Sequence, residues 1–311
     1  MAVAGSLIIL GGLVWFLTGG REVAVLPTAP TAPSTTTVVT PSIVPAPDAV
    51  AARETRPASA ETRPRISNRA ELAAVLTARG LDAEKLIASY QDWRVSHGYL
   101  GTDDLTLAAG QTTPAEAYTA MDRSTQKALA DSGDLGAIQA YAASSRARDP
   151  FTALDFYARA SKSGSAAAMG EVASIYADQP IELRNANPQR DLRQDALAWT
   201  LASIRQYGPA VATPGGLALA EDLARSADNT LLIASCGQSL AILADLSAAT
   251  AGKDNGAMPP VFLAEKNLYD RLPCRDTPAP VTPPRALEVC TSSPAIGSGG
   301  RPVELWICPG N

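Results

Sequence analysis

The sequence predicts an all-α protein: an α-solenoid of antiparallel helix pairs, with an N-terminal transmembrane helix, a disordered linker and a small C-terminal β-hairpin stapled by disulfides. An uncharged apolar run occupies the first 20 residues, and all four cysteines lie in the last quarter of the chain. Between them, similar helical segments recur roughly every 30–40 residues, which is typical of a solenoid. The predicted segments are an anchor (1–20), a linker (21–66), a helical repeat domain (67–272) and a proline-rich tail (273–311).

The first segment is predicted to be a membrane anchor that is not cleaved. Residues 2–20 contain no charged side chain, and Arg21 and Glu22 end the run. A helix needs about 20 apolar residues to cross the hydrocarbon layer, so the run is just long enough. The alternative is a cleaved secretory signal, but no basic side chain precedes the run and no clear A-x-A cleavage site follows it.

The linker is predicted to be an extended spacer. Proline recurs every few residues between positions 24 and 65, and no apolar periodicity survives there. Such a stretch cannot bury enough apolar area to offset the entropy of ordering it, and proline-rich linkers favour extended conformations. The alternative is a docking segment, because one part has the PxxP spacing that grooves for polyproline helices accept.

Capping residues predict where the first helices of the repeat domain begin. Asn68 and Asp82 each precede an apolar pattern with helical spacing that ends near a glycine. Thr113 is followed by proline and, three residues later, by Glu116, which is the pattern of a capping box. The helix that begins there is predicted to end near Ser132, and its predicted buried stripe consists of Tyr118, Met121, Thr125 and Leu129.

From Ser132 onward, a short segment of small residues followed by a helical segment occurs more than once. Ser-Gly occurs at Ser132 and again at Ser163, 31 residues later. The segment from Ala153 to Tyr176 resembles the Sel1-like repeat, a relative of the tetratricopeptide repeat, and the resemblance covers about residues 130–210. The positions that carry it are Ala153, Phe156, Tyr157, Ala160, Gly164, Ala168, Tyr176, Ala196, Trp199 and Gly208.

This resemblance implies a scaffold for protein–protein interaction and implies no catalytic residue. The second copy departs from the family pattern, because Thr200 replaces an aromatic residue and the loop over 178–193 is longer than the family expects. Taken by themselves, the small and aromatic side chains at these positions are expected to pack neighbouring helices together.

The four cysteines, Cys236, Cys274, Cys290 and Cys308, are candidates for disulfides. They lack the paired CxxC spacing of zinc sites, and an even number in a loop-rich region is typical of an oxidising compartment. Four cysteines allow three pairings, and the sequence leaves the choice open.

Two short β-prone runs, Ala286–Cys290 and Val303–Cys308, predict a hairpin in the tail. Turn-forming residues, including Gly297–Gly300, separate them. A bond between the cysteines that end these runs would close the hairpin, and the other two cysteines would then staple the tail to the last helices.

Composition and motifs exclude several function classes. The chain has 31 acidic and 26 basic residues, a net charge of -5, and no basic footprint in the folded part, so we expect no nucleic-acid partner. The single histidine, His97, lies at a predicted helix end and is expected to be a cap or core-edge residue. No nucleotide-binding glycine motif or nucleophile elbow is present. The sequence predicts no catalytic residue, no cofactor and no metal ligand.

The predicted function is that of a scaffold in the cell envelope. Residues 2–20 would anchor it as a single-pass protein of the inner membrane, and its C-terminal body would bind an unidentified envelope protein in the periplasm. The alternative location is the periplasm after signal cleavage. The alternative function is a peptidoglycan enzyme, or a regulator of one, because two carboxylates from distant helices leave no motif. Two shielded acids facing each other in a cleft would favour that alternative.

Overall fold

The computed structural model describes residues 63–101, 103–108, 110–212, 214–226, 229–249, 258–274 and 285–309. The predicted anchor and most of the predicted linker lie outside these residues. The helices are α1 Arg69–Ala78, α2 Ala83–Ser96, α3 Pro114–Thr119, α4 Arg123–Asp131, α5 Leu135–Ser145, α6 Pro150–Lys162, α7 Ala166–Asp178, α8 Ile181–Ala186, α9 Leu192–Tyr207, α10 Pro214–Ser226, α11 Asn229–Ala249 and α12 Leu268–Arg271. The strands are β1 Val261–Glu265, β2 Thr291–Ile296 and β3 Pro302–Ile307. The mainly helical body and the small C-terminal sheet confirm those parts of the predicted fold class.

Side-chain caps begin the first helices where the sequence predicts them. The Asn68 Oδ1 atom accepts a hydrogen bond from the Glu71 N–H at 3.0 Å. Thr113 and Glu116 form both bonds of the capping box, at 3.3 and 2.7 Å. Each cap satisfies a backbone N–H group that has no partner within the helix itself.

The single helix predicted from Pro114 to Ser132 is wrong, because the chain forms two helices there. α3 ends at Thr119, and Asp122 starts α4 by accepting hydrogen bonds from the Thr125 N–H and hydroxyl at 3.0 and 2.6 Å. Thr125 is exposed as a result, while Gln126 is buried in its place. A local side-chain cap therefore outcompeted continuation of the helix.

From α4 to α7, each helix packs on the next one in sequence. After α7 the main contacts skip one helix, since α7 packs on α9 and α9 packs on α11. Only short loops join α5 to α6 and α6 to α7, so these neighbours run antiparallel. Alanines fill their contacts: Ala137, Ala153, Ala160, Ala168 and Ala196 have no exposed surface. Such small side chains allow the helix backbones to approach closely.

The three strands form an antiparallel sheet in the order β1–β3–β2. Thr291 at the start of β2 pairs with Ile307 at the end of β3. This pairing brings the flanking residues Cys290 and Cys308 together, and they form a disulfide. The first strand of the predicted hairpin was misplaced, since residues 285–289 form a 3-10 helix and the strand follows it. β2 is mostly exposed, so its sequence lacks the apolar alternation that marks a half-buried strand.

The sheet also includes two segments from outside the predicted tail. β1, which lies within the predicted helical region, pairs with β3 along its length. At the other edge, the Ile66 N–H donates to the Ile296 carbonyl at 2.8 Å, and the Ile296 N–H donates to the Pro64 carbonyl at 2.9 Å. Ile66 is fully buried, so the folded body includes residues that precede α1.

A second disulfide joins Cys236 on α11 to Cys274, which follows α12. All four predicted cysteines are thus paired, and two disulfides are typical of an oxidising, extracytoplasmic environment. Among the described residues, α11 is the one helix whose length and composition would let it cross a membrane, with a mean hydropathy of 1.5. It also packs along α9 and is tied by its disulfide to the body.

Candidate binding groove

Two adjoining cavities lie along α7. The first has a volume of about 390 Å³ and lies between α7 and α9. The second, of about 320 Å³, lies between α5, α7 and the loop that follows α2. Tyr99, Ala167 and Glu171 line both cavities, so the two form one depression, which we call the α7 groove.

Small residues form most of the helical wall of the α7 groove. Ala140 and Ala143 come from α5, and Ala167 and Gly170 come from α7. A side chain at Gly170 would meet no other atom within 4 Å. Glycine inside a helix is less favourable than alanine by roughly 0.5–1 kcal/mol, so folding alone gives no reason for it at this exposed position.

The loop after α2 is fixed against α7 by main-chain contacts. The His97 carbonyl accepts hydrogen bonds from the Ala167 N–H at 3.2 Å and from the Ser165 hydroxyl at 3.3 Å. Gly98 has a φ of +83°, and a Cβ there would lie 2.2 Å from the Gln139 Nε2 and Ser165 Oγ atoms. Glycine is therefore required at this turn, and the turn places the next residue, Tyr99, in the lining of the groove.

The Tyr99 ring is in contact with two other side chains. The ring stacks against Trp93 with 6.1 Å between ring centroids, and the Arg94 guanidinium lies 5.6 Å from the Tyr99 ring centroid. Arg94 is itself held by an ion pair with Asp103. Burial raises the pKa of Tyr99, so its hydroxyl stays protonated, and it makes no hydrogen bond within the described residues.

Two nearly buried polar side chains in the groove have unused hydrogen-bonding capacity. Ser203 is only 7% exposed, and its hydroxyl bonds to no described residue. Thr200, one turn earlier, donates to the Ala196 carbonyl at 2.9 Å in the usual way for a hydroxyl on a helix. Gln139 is 9% exposed; its Nε2 donates to the Ser165 hydroxyl at 3.1 Å, while its Oε1 has no partner in the described part of the chain.

Glu171 is the charged residue common to both halves of the groove. Its Oε2 accepts a hydrogen bond from the Arg146 guanidinium at 2.8 Å, and the same arginine contacts Ser174 and Asp178. The Oε1 atom of Glu171 accepts no hydrogen bond from any described residue. Arg146 thus holds the carboxylate in place and leaves one oxygen available.

A third cavity, of about 210 Å³, has two shielded acids in its lining. Asp103 and Glu265 line it, and their side chains are 18% and 9% exposed. Asp103 pairs with Arg94, and Glu265 pairs with Arg271 at 3.1 Å. Each carboxylate in this cavity is therefore already engaged by an arginine.

The residues of the predicted repeat signature lie in the core. Ala153, Phe156, Tyr157, Ala160, Ala168, Tyr176 and Ala196 are buried, Trp199 is half-buried, and Gly164 and Gly208 have positive φ angles at helix ends. These positions pack helices together, and of this set only Tyr157 lines the α7 groove.

The other residues singled out in the sequence have structural surroundings. His97 ends α2; its Nδ1–H donates to the Trp93 carbonyl at 2.8 Å, and its ring stacks on the Trp93 ring at 4.3 Å. Gly297–Gly300 forms the turn between β2 and β3. Within the described ranges, no three His, Cys, Asp or Glu side chains lie together as a metal site would require.

The groove residues Tyr99, Gln139, Glu171 and Ser203 did not stand out in the sequence. Their common property is unpaired hydrogen-bonding capacity, which depends on the tertiary fold. The glycine at position 170, inside an alanine-rich helical pattern, was the one available signal.

Comparisons with known proteins give no further guide to this groove. No family model matches the chain, and neither a curated protein nor a solved structure matches it.

Proposed function

We propose that this protein is a membrane-anchored scaffold of the cell envelope, built from Sel1-like helical repeats arranged as an α-solenoid, and that its α7 groove binds a segment of an envelope protein. The observation that carries the proposal is the set of polar side chains lining the groove whose hydrogen-bonding atoms have no partner among the described residues. These atoms are available to a partner that enters the groove.

Packing and cysteine chemistry support the rest of the proposal. From α4 to α7, successive helices pack on one another and fully buried alanines lie among them, as expected of stacked helical repeats. The two disulfides favour a body outside the cytoplasm, which is the periplasm if the anchor lies in an inner membrane. The proposed anchor, residues 2–20, lies outside the described residues.

Photo-crosslinking in intact cells tests the proposal. A photoreactive amino acid replaces Ala143, which is exposed within the groove, or Ala241, which is exposed on α11 outside it. We expect discrete protein adducts from position 143 and none of the same mass from position 241. Absence of adducts from 143, or identical adducts from both positions, would contradict a partner in the groove.

A second candidate, a peptidoglycan enzyme, is favoured by the two shielded acids Asp103 and Glu265 in their shared cavity. Incubating the full chain with purified peptidoglycan and separating the soluble products tests it. Hydrolysis that is lost in both Asp103→Asn and Glu265→Gln would establish this candidate, whereas the scaffold proposal predicts no release of products.

A further inference from the structure

We infer that the α7 groove holds its partner as an extended polypeptide and recognises the main chain of that segment. The inference rests on the proposed function, since it names the chemistry of the segment that the groove would bind.

The unpaired groups in the groove suit both kinds of main-chain group. A peptide backbone offers one N–H donor and one carbonyl acceptor at each residue other than proline. Gln139 Oε1 and Glu171 Oε1 accept hydrogen bonds, and the Tyr99 and Ser203 hydroxyls can donate them. In an extended segment the backbone groups are not bonded to one another, so they are available to these side chains.

The position of these groups favours a ligand that runs along the groove. Gln139 lines the half beside α5, and Ser203 lines the half beside α9. Tyr99 and Glu171 line both halves. A compact ligand in one cavity would leave the groups of the other unpaired, whereas an extended one reaches both.

The small residues of the wall allow a main chain to come near. Recognition of backbone groups requires close approach, and glycine is the usual residue where a backbone approaches a ligand. Gly170 lines the half of the groove beside α9, and a Cβ there would meet no other atom within 4 Å.

Two other polymers fit the groove less well. Sugars commonly stack on a free aromatic ring, and the Tyr99 ring already stacks against Trp93 and lies beside the Arg94 guanidinium. Nucleic acids carry phosphates, which the Glu171 carboxylate would repel in the middle of the groove. A polypeptide is the polymer that the observed groups favour.

A displayed peptide library tests the inference. The full chain, purified in detergent, is used to select from a phage-displayed library of random dodecapeptides. The Gly170→Trp variant is used for counter-selection. Because the new ring enters open space in the groove, we expect the selected peptides to bind this variant at least tenfold more weakly.

Gly237→Trp is the matched control. Gly237 is an exposed glycine inside α11, a Cβ there also meets nothing within 4 Å, and it does not line the groove. We expect its peptide affinity to stay within twofold of wild type. Thermal unfolding of both variants verifies folding, and Gly170→Leu provides a smaller obstruction if the tryptophan variant is unstable.

Backbone esters then separate main-chain from side-chain recognition. Replacing one amide of a selected peptide by an ester removes a single N–H donor and leaves the side chains unchanged. At the sensitive positions we expect about 2- to 10-fold weaker binding, measured by calorimetry, and a similar loss for Ser203→Ala.

Three results would overturn the inference: a library that yields no peptide sensitive to Gly170→Trp, esters that bind as well as amides at every position, or a soluble glycan-strand fragment that competes for the groove. If these occur while crosslinking from position 143 persists, the scaffold proposal stands and the partner binds as a folded surface. If crosslinking from position 143 is lost as well, both the inference and the scaffold proposal are rejected.

Discussion

Gly98 and Gly80 provide a paired test of how the groove loop is built. Both have positive φ, but a Cβ at Gly98 would collide with Gln139 and Ser165, while a Cβ at Gly80 meets open space. Gly80→Ala should cost about 1 kcal/mol of unfolding free energy from backbone strain alone. Gly98→Ala should cost about 2–4 kcal/mol, because overpacking adds to the strain. Urea unfolding measures both, and equal losses would contradict the close packing at Gly98.

The cap of α6 predicts a pH-dependent contribution to stability. The hydrogen bond from the Thr152 hydroxyl, followed by that from its N–H, lowers the pKa of Asp149. A carboxylate whose pKa is lower in the folded state stabilises the fold above about pH 4 and loses this effect as pH falls through the folded value.

Asp149→Ala should therefore cost about 1 kcal/mol at pH 7 and less near pH 2. Asp149→Asn retains a capping oxygen and should be close to wild type at pH 7. Urea unfolding at the two pH values measures these differences. A cost for the alanine variant that does not change with pH would show that ionisation of this cap is irrelevant.

At the scale of single elements, the sequence predicted helix starts better than helix ends or strands. Caps such as Asn68 and Thr113 bond to groups only a few residues away, so the local sequence is enough to predict them. The break at Asp122 is local too, but it competes with an equally good helical pattern. β1 could not be predicted, because it becomes a strand only by pairing with β3, about 40 residues later.

The two disulfides should differ in what they contribute. Cys236 and Cys274 are separated by 38 residues, and Cys290 and Cys308 by 18. In the chain-entropy model, these bonds stabilise by about 4 and 3 kcal/mol. Replacing each pair by alanines and measuring unfolding under identical conditions tests this. Unchanged stability of either variant would show that its bond does not constrain the unfolded chain.

At the scale of the whole molecule, the groove arises where the loop after α2 meets helices α5, α7 and α9. The end of α2 is fixed to the start of α7, and α9 forms the far side. The sequence predicted a mainly helical body but could not predict the groove. Whether Ser203 and Gln139 find partners depends on residues up to dozens of positions away, so no local pattern reports it.

The proposed location of the C-terminal body outside the cytoplasm can be tested with reporter fusions. A reporter enzyme that is active only outside the cytoplasm, fused after Asn311, should be active in cells, because the disulfides indicate an oxidising compartment. The same fusion with a reporter active only in the cytoplasm is the control. Activity of the cytoplasmic reporter alone would contradict the proposed location.

The most direct test of the central claim combines the crosslinker at position 143 with the two tryptophan variants. If the α7 groove binds a partner, the adduct from position 143 disappears in Gly170→Trp and persists in Gly237→Trp, with both variants folded and equally abundant. An adduct that survives Gly170→Trp unchanged would show that the partner does not occupy the groove.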